Sequence, residues 1–546
     1  MPQSESTVLY VTMSDGVKLA MRVYGPATEK RPILFAASPY RFDNDDVPET
    51  TTFLWKETGP IDWYVERGFT YVHLDVRGTG RSEGEYEFLG SRERRDLYEV
   101  IEWLAQQPWS TGKIGGIGHS YYAASQWCMA AERPPHLSCI APYDGGVDIY
   151  RQWTYHGGIQ CEFNTTWWHG NVRPINLNPF AADAVKRDIP LDLPRTLSMH
   201  PLIDQFWKDR DFASQLDGCK VPVLSFGIWS KPELHLPGNL EGFNRVCGPK
   251  RLFISGAANV SAAQAQFESE SFHEKHLLPF YERFLKGVET EFDALSPVTF
   301  EMREATQIVE ANTWPPKTRE HKLFLSGEKA KAANSLNDGS LDEKASNGGT
   351  NETSYDYPDA KWALGNVEFT QHGPNPTSLN LTFSSPPLEE ALDVVGYPTL
   401  RLFMSSSRND IDVIAKLVEV PASVESGQPK ILSKGWLRAS HRAILDRRFG
   451  IRYKHEQLEL LEPEQIYELE LSLTPLGHRF LRGSRIRLDL SCADSAITDT
   501  IFTHTFTPNT VGTDTVHHSS VRESCLNLPI LLAESVTVRA WLPAVL

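Results

Sequence analysis

The apolar positions of the chain follow two regimes. Up to about residue 290, fully apolar runs alternate with longer stretches at helical spacing, and beyond it short alternating runs take over. TVLYVTM and VKLAMRVYG flank a Ser-Asp-Gly turn and predict an opening β-hairpin over 7–24. RPILFAASPYRF predicts a buried strand ending in Ser38-Pro39-Tyr40-Arg41. A helix from about Pro60 to Arg67 leads into FTYVHLDVRGTGRSEG, a strand running into a charged, glycine-rich loop. RERRDLYEVIEWLAQQ reads as a helix, KIGGIGH as a buried strand, SYYAASQWCMAAER as a helix and LSCIAPYDGG as a further strand. VPVLSFGIW, LPGNLEGFNRV, KRLFISG and ESFHEKHLLPFYERFLKG continue the alternation. Strand after helix in this order predicts an α/β domain with a parallel sheet covered on both faces.

The alternation breaks after Asp148. Residues 149–216 are irregular and rich in aromatics, which predicts a helical cap or lid inserted into an α/β domain made of 1–148 and 217–294. From 295 onward VTFEMRE, HKLFLS, LNLTFSS, TLRLFMSS, DVIAKLVEV, YELELSL, RIRLDLSCAD and VTVRAWL predict a C-terminal β-sandwich of jelly-roll type over 295–546. Within it, 326–361 is polar and low in complexity and is expected to be a long mobile loop.

At 546 residues the chain exceeds what one core can hold, and with 40% apolar residues two or three packed domains are expected. Fifty-four basic against 70 acidic side chains give a net charge of −16, which argues against nucleic acid or an anionic membrane as partner. The expected partner is a small molecule, with a homodimer left open. Seven scattered cysteines without a C-x-x-C pair read as buried thiols rather than a disulfide framework or a metal site. The start MPQSESTVLYVTMSDG has no basic and apolar leader, so a soluble cytoplasmic protein is expected. The loop GTGRSEG lacks G-K-[ST], so nucleotide binding is not expected, and Arg77 and Arg81 are expected to tie it down through Asp75 and Glu83. No metal or organic cofactor is expected.

The chemistry concentrates at Ser120, on the corner between KIGGIGH and the following helix. A serine there holds its hydroxyl proud of the sheet, and the first N–H groups of the helix can receive an oxyanion. Gly118 allows the tight backbone before it, while Tyr122 occupies the second glycine position of G-x-S-x-G and Ala123 supplies a small residue one place later. In the insertion, Trp153, His156, Trp167, Trp168 and His169 are candidates for a pocket wall.

SPYR, LDVRGTGRSEG, IEWLAQQPWSTGKIGGIGHSYYA, PPHLSCIAPYDGGVDIYR, SPPLEEALDVVGYPTLRL, GWLRASHR and LRGSRIRLDLSCAD together resemble the cocaine esterase and X-Pro dipeptidyl-peptidase group, the CocE/NonD hydrolases. The resemblance implies an α/β-hydrolase core with a helical cap and a C-terminal jelly roll. It also implies Ser120 as nucleophile, with the Tyr121 N–H and the Tyr40 hydroxyl as oxyanion donors. The acid and base of the triad depart from the family pattern. Ser230 falls on the acid position, or Glu233 if two residues are inserted, and Asn259 falls on the base position, leaving Asn259 and Trp229 as candidates for substrate contact. An amide cannot take and return the serine's proton as an imidazole does.

Three readings follow. His235 serves as base with Glu233 or Asp144 as its carboxylate; or a lid histidine, His156 or His169, serves; or the pocket has left hydrolysis for lyase or cyclase chemistry. His119 is not expected to act as base, since neighbouring side chains on the elbow point apart, and His273 and His276 are expected at the surface or against the cap. The leading expectation is a serine hydrolase or acyl-transfer enzyme acting on a small ester, lactone or amide, with Ser120, Tyr40, Tyr121, His235 and Glu233 as its machinery. A silent ligand-binding protein is the alternative from outside enzymology.

Overall fold

The computed structural model describes residues 4–46, 57–180, 184–345, 350–362, 365–371, 373–499, 502–504 and 510–540. The chain forms two compact units. The first comprises Met1–Gln152, Asn164–His200 and Gln205–Phe300, and the second Trp153–Phe163, Pro201–Asp204 and Glu301–Leu546.

Up to residue 302 the described residues form eleven strands, the last of them from VTFEMRE, which joins the first sheet and not the sandwich expected from 295: β1 (Ser6–Thr12), β2 (Lys18–Tyr24), β3 (Arg31–Ser38), β4 (Thr70–Asp75), β5 (Ser110–Gly116), β6 (Leu137–Ile140), the short β7 (Tyr155–His156) and β8 (Ile159–Gln160), β9 (Val223–Ile228), β10 (Lys250–Ser255) and β11 (Val298–Met302). The main sheet of the first unit runs β1-β2-β4-β3-β5-β6-β9-β10-β11. β1, β2 and β4 pair antiparallel, and every pair from β4·β3 to β10·β11 is parallel. Burial on both faces explains the continuous apolar runs: β4 and β9 are buried at every position. Three helices line the path to the site, α1 (Ile61–Glu66), α2 (Ser91–Ala105) and α3 (Tyr121–Glu132). α3 has Ala, Cys and Met at positions fully enclosed between sheet and α2, so nearly all its side chains are buried.

Residues 149–216, the expected cap, divide between the two units. Its helices, such as Phe163–Trp167, Arg173–Leu177 and Leu193–Ser198, are only five or six residues long. Segments that short cannot close a core, so their aromatics pack into neighbours: Trp168 stacks on Tyr86 at 6.0 Å, and Trp207 meets Tyr150 edge-on at 5.2 Å. The hairpin β7–β8 falls in the second unit.

In the second unit, ten strands hydrogen-bond in the order Glu352–Tyr357, Gly512–His517, Thr399–Ser406, Cys525–Leu531, Thr318–Ser326, Gly339–Asp342, Leu381–Ser384, Arg485–Ser491, Asp412–Val420 and Lys430–Arg438, with three more branching from them. Their inward positions, among them Leu325, Phe383, Leu402, Val413, Leu417, Leu469, Leu488 and Leu526, close one apolar core. The expected mobile loop over 326–361 is corrected in part: Gly339–Asp342 and Glu352–Tyr357 are strands, while 346–349 lie outside the described residues. Gly339–Asp342 pairs with the preceding strand and Glu352–Tyr357 with one distant in sequence; the latter turns only Tyr355 and Tyr357 inward, so its polar letters are the solvent face of an edge strand.

Candidate functional site

Three residues other than glycine hold left-handed backbone just past the carboxyl ends of β3, β5 and β6: Arg41 (φ 73°), Ser120 (φ 62°) and Asp144 (φ 54°). Such strain persists only where surrounding structure enforces it, and it gathers at functional sites. The carboxyl ends of parallel strands are also where open α/β sheets bind ligands.

Ser120 is the N-cap of α3, and its N–H donates to the Tyr143 carbonyl at 3.1 Å. Tyr143 bridges His119 on one side and Phe226 on the other, so the tips of β5, β6 and β9 remain in register beyond their strands. This packing accounts for the altered elbow. A Cβ on Gly145 would lie 2.5 Å from the Ala123 Cβ, so the small residue faces Gly145 one place later than the general motif. Tyr122 instead carries its hydroxyl to His73 Nε2 at 2.8 Å.

Tyr40 reaches the serine from β3. Its hydroxyl lies close to that of Ser120 and accepts the Trp167 Nε1–H at 2.9 Å. Burial, reinforced by the nearby Glu57 carboxyl, raises its pKa well above the ordinary phenol value, so it remains a proton donor. Tyr121 opens α3 beside the serine, and its own phenol donates to Glu93 Oε1 at 2.7 Å. Trp167 stacks on Tyr121 at 6.0 Å and tilts against Phe88 at 5.7 Å, giving the serine an aromatic wall. Replacing Trp167 by Phe keeps most of that wall but removes the N–H that holds the Tyr40 hydroxyl. The expected result is a three- to tenfold loss of kcat/KM on an activated aryl ester, about the worth of one hydrogen bond, with KM nearly unchanged.

Next to the serine lies a buried cluster around one carboxylate. Asp144 Oδ2 is 3.0 Å from His235 Nδ1, 3.0 Å from Lys231 Nζ and 3.3 Å from His119 Nε2. Lys231 and His235 stand one turn apart, with His235 N–H donating to the Lys231 carbonyl at 3.3 Å, so both side chains present to the same acceptor. His235 is the N-cap of the helix Leu236–Arg245. That helix is docked by Asn239, whose Oδ1 accepts the Gly145 N–H at 2.8 Å and whose amide donates to Pro142 O and Ser225 Oγ. The histidine and the aspartate are thereby positioned by the same contacts.

Burial alone would raise Asp144, but the Lys231 ammonium and His235 outweigh it and hold the carboxylate well below its ordinary range. Burial pushes His235 below the ordinary imidazole value despite Asp144, so it is neutral at physiological pH. Burial and Lys231 push His119 down to about 3. A fifth member, Glu57, lies close to Ser120, and burial, with repulsion from Glu268 and Asp144, raises its pKa well above the carboxylate range despite the attraction of Lys231. Glu57 Oε2, Asp144 Oδ1 and His119 Nδ1 are buried without a hydrogen-bond partner. Enclosed polar atoms left open in this way are uncommon in folded proteins and single out this cluster.

The structure thus brings Ser120, Tyr40, Tyr121, Trp167 and, through Asp144, His235 together, and corrects several expectations. Asp144 is the carboxylate that receives His235, whereas Glu233 is half-buried in the turn between Lys231 and His235. Asn259 is exposed and caps the helix Val260–Glu268, its Oδ1 accepting the Ala262 N–H at 2.9 Å; asparagine is favoured there for that bond. His169 is exposed, on the outward side of a turn whose inward residue is Trp168, itself stacked on Tyr86. Trp229 is buried at the end of β9, edge-on to Phe300. Trp153 and His156 belong to the second unit, where Trp153 is buried and His156 Nδ1 pairs with His504 Nε2 at 2.9 Å. His273 lies in the core, bonding Tyr64 and the Phe267 carbonyl, because the helix turns it inward under Gly59. Arg77 pairs with Asp96 and Asp15 rather than Asp75 or Glu83; Arg81 does meet Asp75, through its backbone N–H at 2.8 Å. Glu57 and Lys231 escaped the sequence reading. Lys231, one turn before His235 in KPELH, was the available signal; Glu57 follows TTFLWK, which carries no motif.

A serine elbow on a mostly parallel sheet, with tyrosine and backbone donors beside it and a carboxylate–histidine pair close by, defines an α/β-hydrolase-fold enzyme. The profile of X-Pro dipeptidyl-peptidases (S15 family) matches residues 15–258, and that of the X-Pro dipeptidyl-peptidase C-terminal non-catalytic domain matches residues 290–527. Cocaine esterase of a Rhodococcus species is 26% identical, the match covering 90% of this chain and 91% of the esterase. A CocE/NonD family hydrolase from Staphylococcus aureus superposes with a TM-score of 0.80 at 25% identity, covering 96% of this chain and 93% of the other. An aminopeptidase from a marine sediment archaeon, at 19% identity and TM-score 0.71 over 97% of this chain and 98% of its own, shares the fold. The chain belongs to the CocE/NonD family of α/β-hydrolases. It is a hydrolase of the serine esterase and X-Pro dipeptidyl-peptidase type. Among the described residues no helix is long and apolar enough to cross a membrane.

Proposed function

We propose that the chain is a serine hydrolase or acyl-transfer enzyme acting on a small ester, lactone or amide with an apolar acyl or ring part, through a triad of Ser120, His235 and Asp144. The observation that carries this reading is the 3.0 Å contact between His235 Nδ1 and Asp144 Oδ2, buried in the cluster beside a strained elbow serine. Asp144 fixes the imidazole tautomer with its proton on Nδ1, so that Nε2 is the basic atom. Ser120 Oγ attacks the carbonyl carbon as its proton passes to Nε2. The oxyanion takes the Tyr40 O–H and the Tyr121 backbone N–H. The imidazolium then returns the proton to the departing alkoxide or amine, and water or an acceptor alcohol repeats the sequence on the acyl-serine. The aromatic wall of Trp167, Tyr121 and Phe88 favours an apolar acyl part. The likeness to a cocaine esterase points to an ester first.

A second reading rests on Glu57, the buried carboxyl close to the serine. As the proton acceptor it would work only above its raised pKa. The rate of fluorophosphonate labelling at Ser120 against pH separates the two. His235 as base predicts a plateau through neutral pH and a fall only below the ordinary histidine value of about 6.5, because its neutral form persists to lower pH. Glu57 as base predicts a rate that rises only at pH values well above the ordinary carboxylate value of about 4.3. On the first reading Glu57→Gln leaves the acid limb in place and changes the plateau less than about tenfold. An acid limb displaced by Glu57→Gln but untouched by His235→Gln would transfer the role to the glutamate.

A further inference from the structure

The second unit holds a cluster that the hydrolytic site does not use. His156, Cys161 and His504 are buried, and their ligand atoms all lie within 4.8 Å of one another. His156 stands on β7, Cys161 directly follows β8, and His504 is 348 residues further along than His156. Backbone pairing fixes their spacing: Cys161 N–H donates to Thr154 O at 2.8 Å, Glu162 N–H donates to Thr503 O at 2.8 Å, and Cys161 and His504 face each other as an antiparallel bridge. Chemically unlike side chains are thus brought to one point from a hairpin and a remote segment, a juxtaposition that no short sequence pattern could display.

The surroundings prepare the donor atoms. Asp494 Oδ2 lies 2.5 Å from His504 Nδ1, which places that ring's proton on Nδ1 and turns the lone pair of Nε2 toward His156 and Cys161. A carboxylate behind a histidine is the support that metal-bound imidazoles characteristically have. Lys416 lies 3.6 Å from the same carboxylate, and Lys416 and Lys434 are matched in charge by Asp494 and Asp499 together, so a cation at the cluster would be balanced by the Cys161 thiolate. The Trp436 ring, 4.7 Å from His156 and 5.1 Å from His504, covers the cluster and keeps it dry.

We infer that His156 Nδ1, His504 Nε2 and Cys161 Sγ form a site for a borderline-soft divalent metal ion of the zinc type. Two nitrogens and one sulfur are a zinc donor set, with metal–nitrogen bonds of about 2.0–2.1 Å and a metal–sulfur bond of about 2.3 Å. Around a tetrahedral ion the two nitrogens would stand about 3.3 Å apart. The present separation of 2.9 Å is a ring-to-ring hydrogen bond, so it opens by a few tenths of an ångström when the ion replaces the shared proton. Binding moves the His156 proton to its Nε2 and releases one proton from Cys161, so affinity rises with pH. The ion ties the hairpin β7–β8 to the segment carrying His504.

The test uses the full chain, dialysed against a chelator and titrated with Co2+. The expected result is about one ion bound per chain, with a thiolate-to-cobalt charge-transfer band and the strong d–d bands of four-coordinate cobalt, all removed by Zn2+. Cys161→Ser removes the charge-transfer band, and His504→Gln weakens binding at least tenfold, with folding of each variant checked by circular dichroism. Cys247→Ser, at the one exposed cysteine, leaves the band intact. The wild-type spectrum decides the matter even if a variant misfolds. No cobalt band in the wild type, or a band that survives Cys161→Ser or vanishes with Cys247→Ser, would overturn the inference.

Discussion

Replacing His235 by alanine should lower the rate of fluorophosphonate labelling at Ser120 by about 10²- to 10⁴-fold, the span that a positioned general base contributes. Ser120→Ala should abolish labelling altogether. The two effects should not add: once the base is gone, truncating its partners costs little more, because the residues act as a unit. Labelling is followed by mass spectrometry of the peptide carrying Ser120, so the readout needs no knowledge of the substrate. A control is built into the fold. Removing His119, the other imidazole on the Asp144 carboxylate, should leave most of the rate, since its ring is aimed at Asp144 and Lys231 and its depressed pKa of about 3 suits a poor base. If His119→Ala matched His235→Ala in effect, the assignment of the base would fail, and the proton path would have to run through the elbow's own neighbour.

The physical reasons why some of this was legible in the sequence, and some was not, lie in particular residues. The parallel sheet was legible because strands buried on both faces are written as continuous apolar runs, as in VPVLSFGI, and because Gly118 and Ser120 mark a turn that few other residues could make. Aromatic letters in the insertion marked Trp167 as a wall residue, but not which rings face inward: adjacent Trp168 and His169 differ only by their place on a turn. The carboxylate was harder. A triad acid is normally sought after the strand that β9 represents here, yet Ser230 occupies that place with its Oγ buried and unbonded. The charge comes instead from Asp144, after β6, and reaches His235 across the sheet tip through the docking of Asn239 against Gly145. Spacing along the chain carries no information about such a contact, since it is set by which strand tips lie side by side. The same holds for Glu57, whose relation to Ser120 runs through the bond from His119 N–H to its carbonyl at 2.9 Å.

Asp144→Asn should therefore be among the most damaging single substitutions in the first unit, in two separable ways. The amide keeps the shape but can present the wrong group to His235, inverting the imidazole tautomer. In a triad that loss is worth about 10⁴ in kcat. It also strips the counter-charge from Lys231, whose Nζ lies 3.0 Å away with its side chain only 8% exposed. Breaking a buried pair on one side costs about 3–5 kcal/mol, because the remaining charge has no compensation. Since the folded pKa of Asp144 is depressed, the stability it contributes is present above the unfolded value of about 3.9 and is lost only as pH falls through the folded pKa, so the loss of stability should be equal at about pH 5 and pH 8. The double variant Asp144→Asn with Lys231→Met separates the effects. It should recover most of the stability in a denaturant melt, since neither charge is left buried alone, while labelling of Ser120 stays as slow as in Asp144→Asn. Recovery of both together would mean that Asp144 serves only to neutralise the lysine, and the orienting carboxylate of His235 would have to be sought elsewhere, with Glu233 the first candidate.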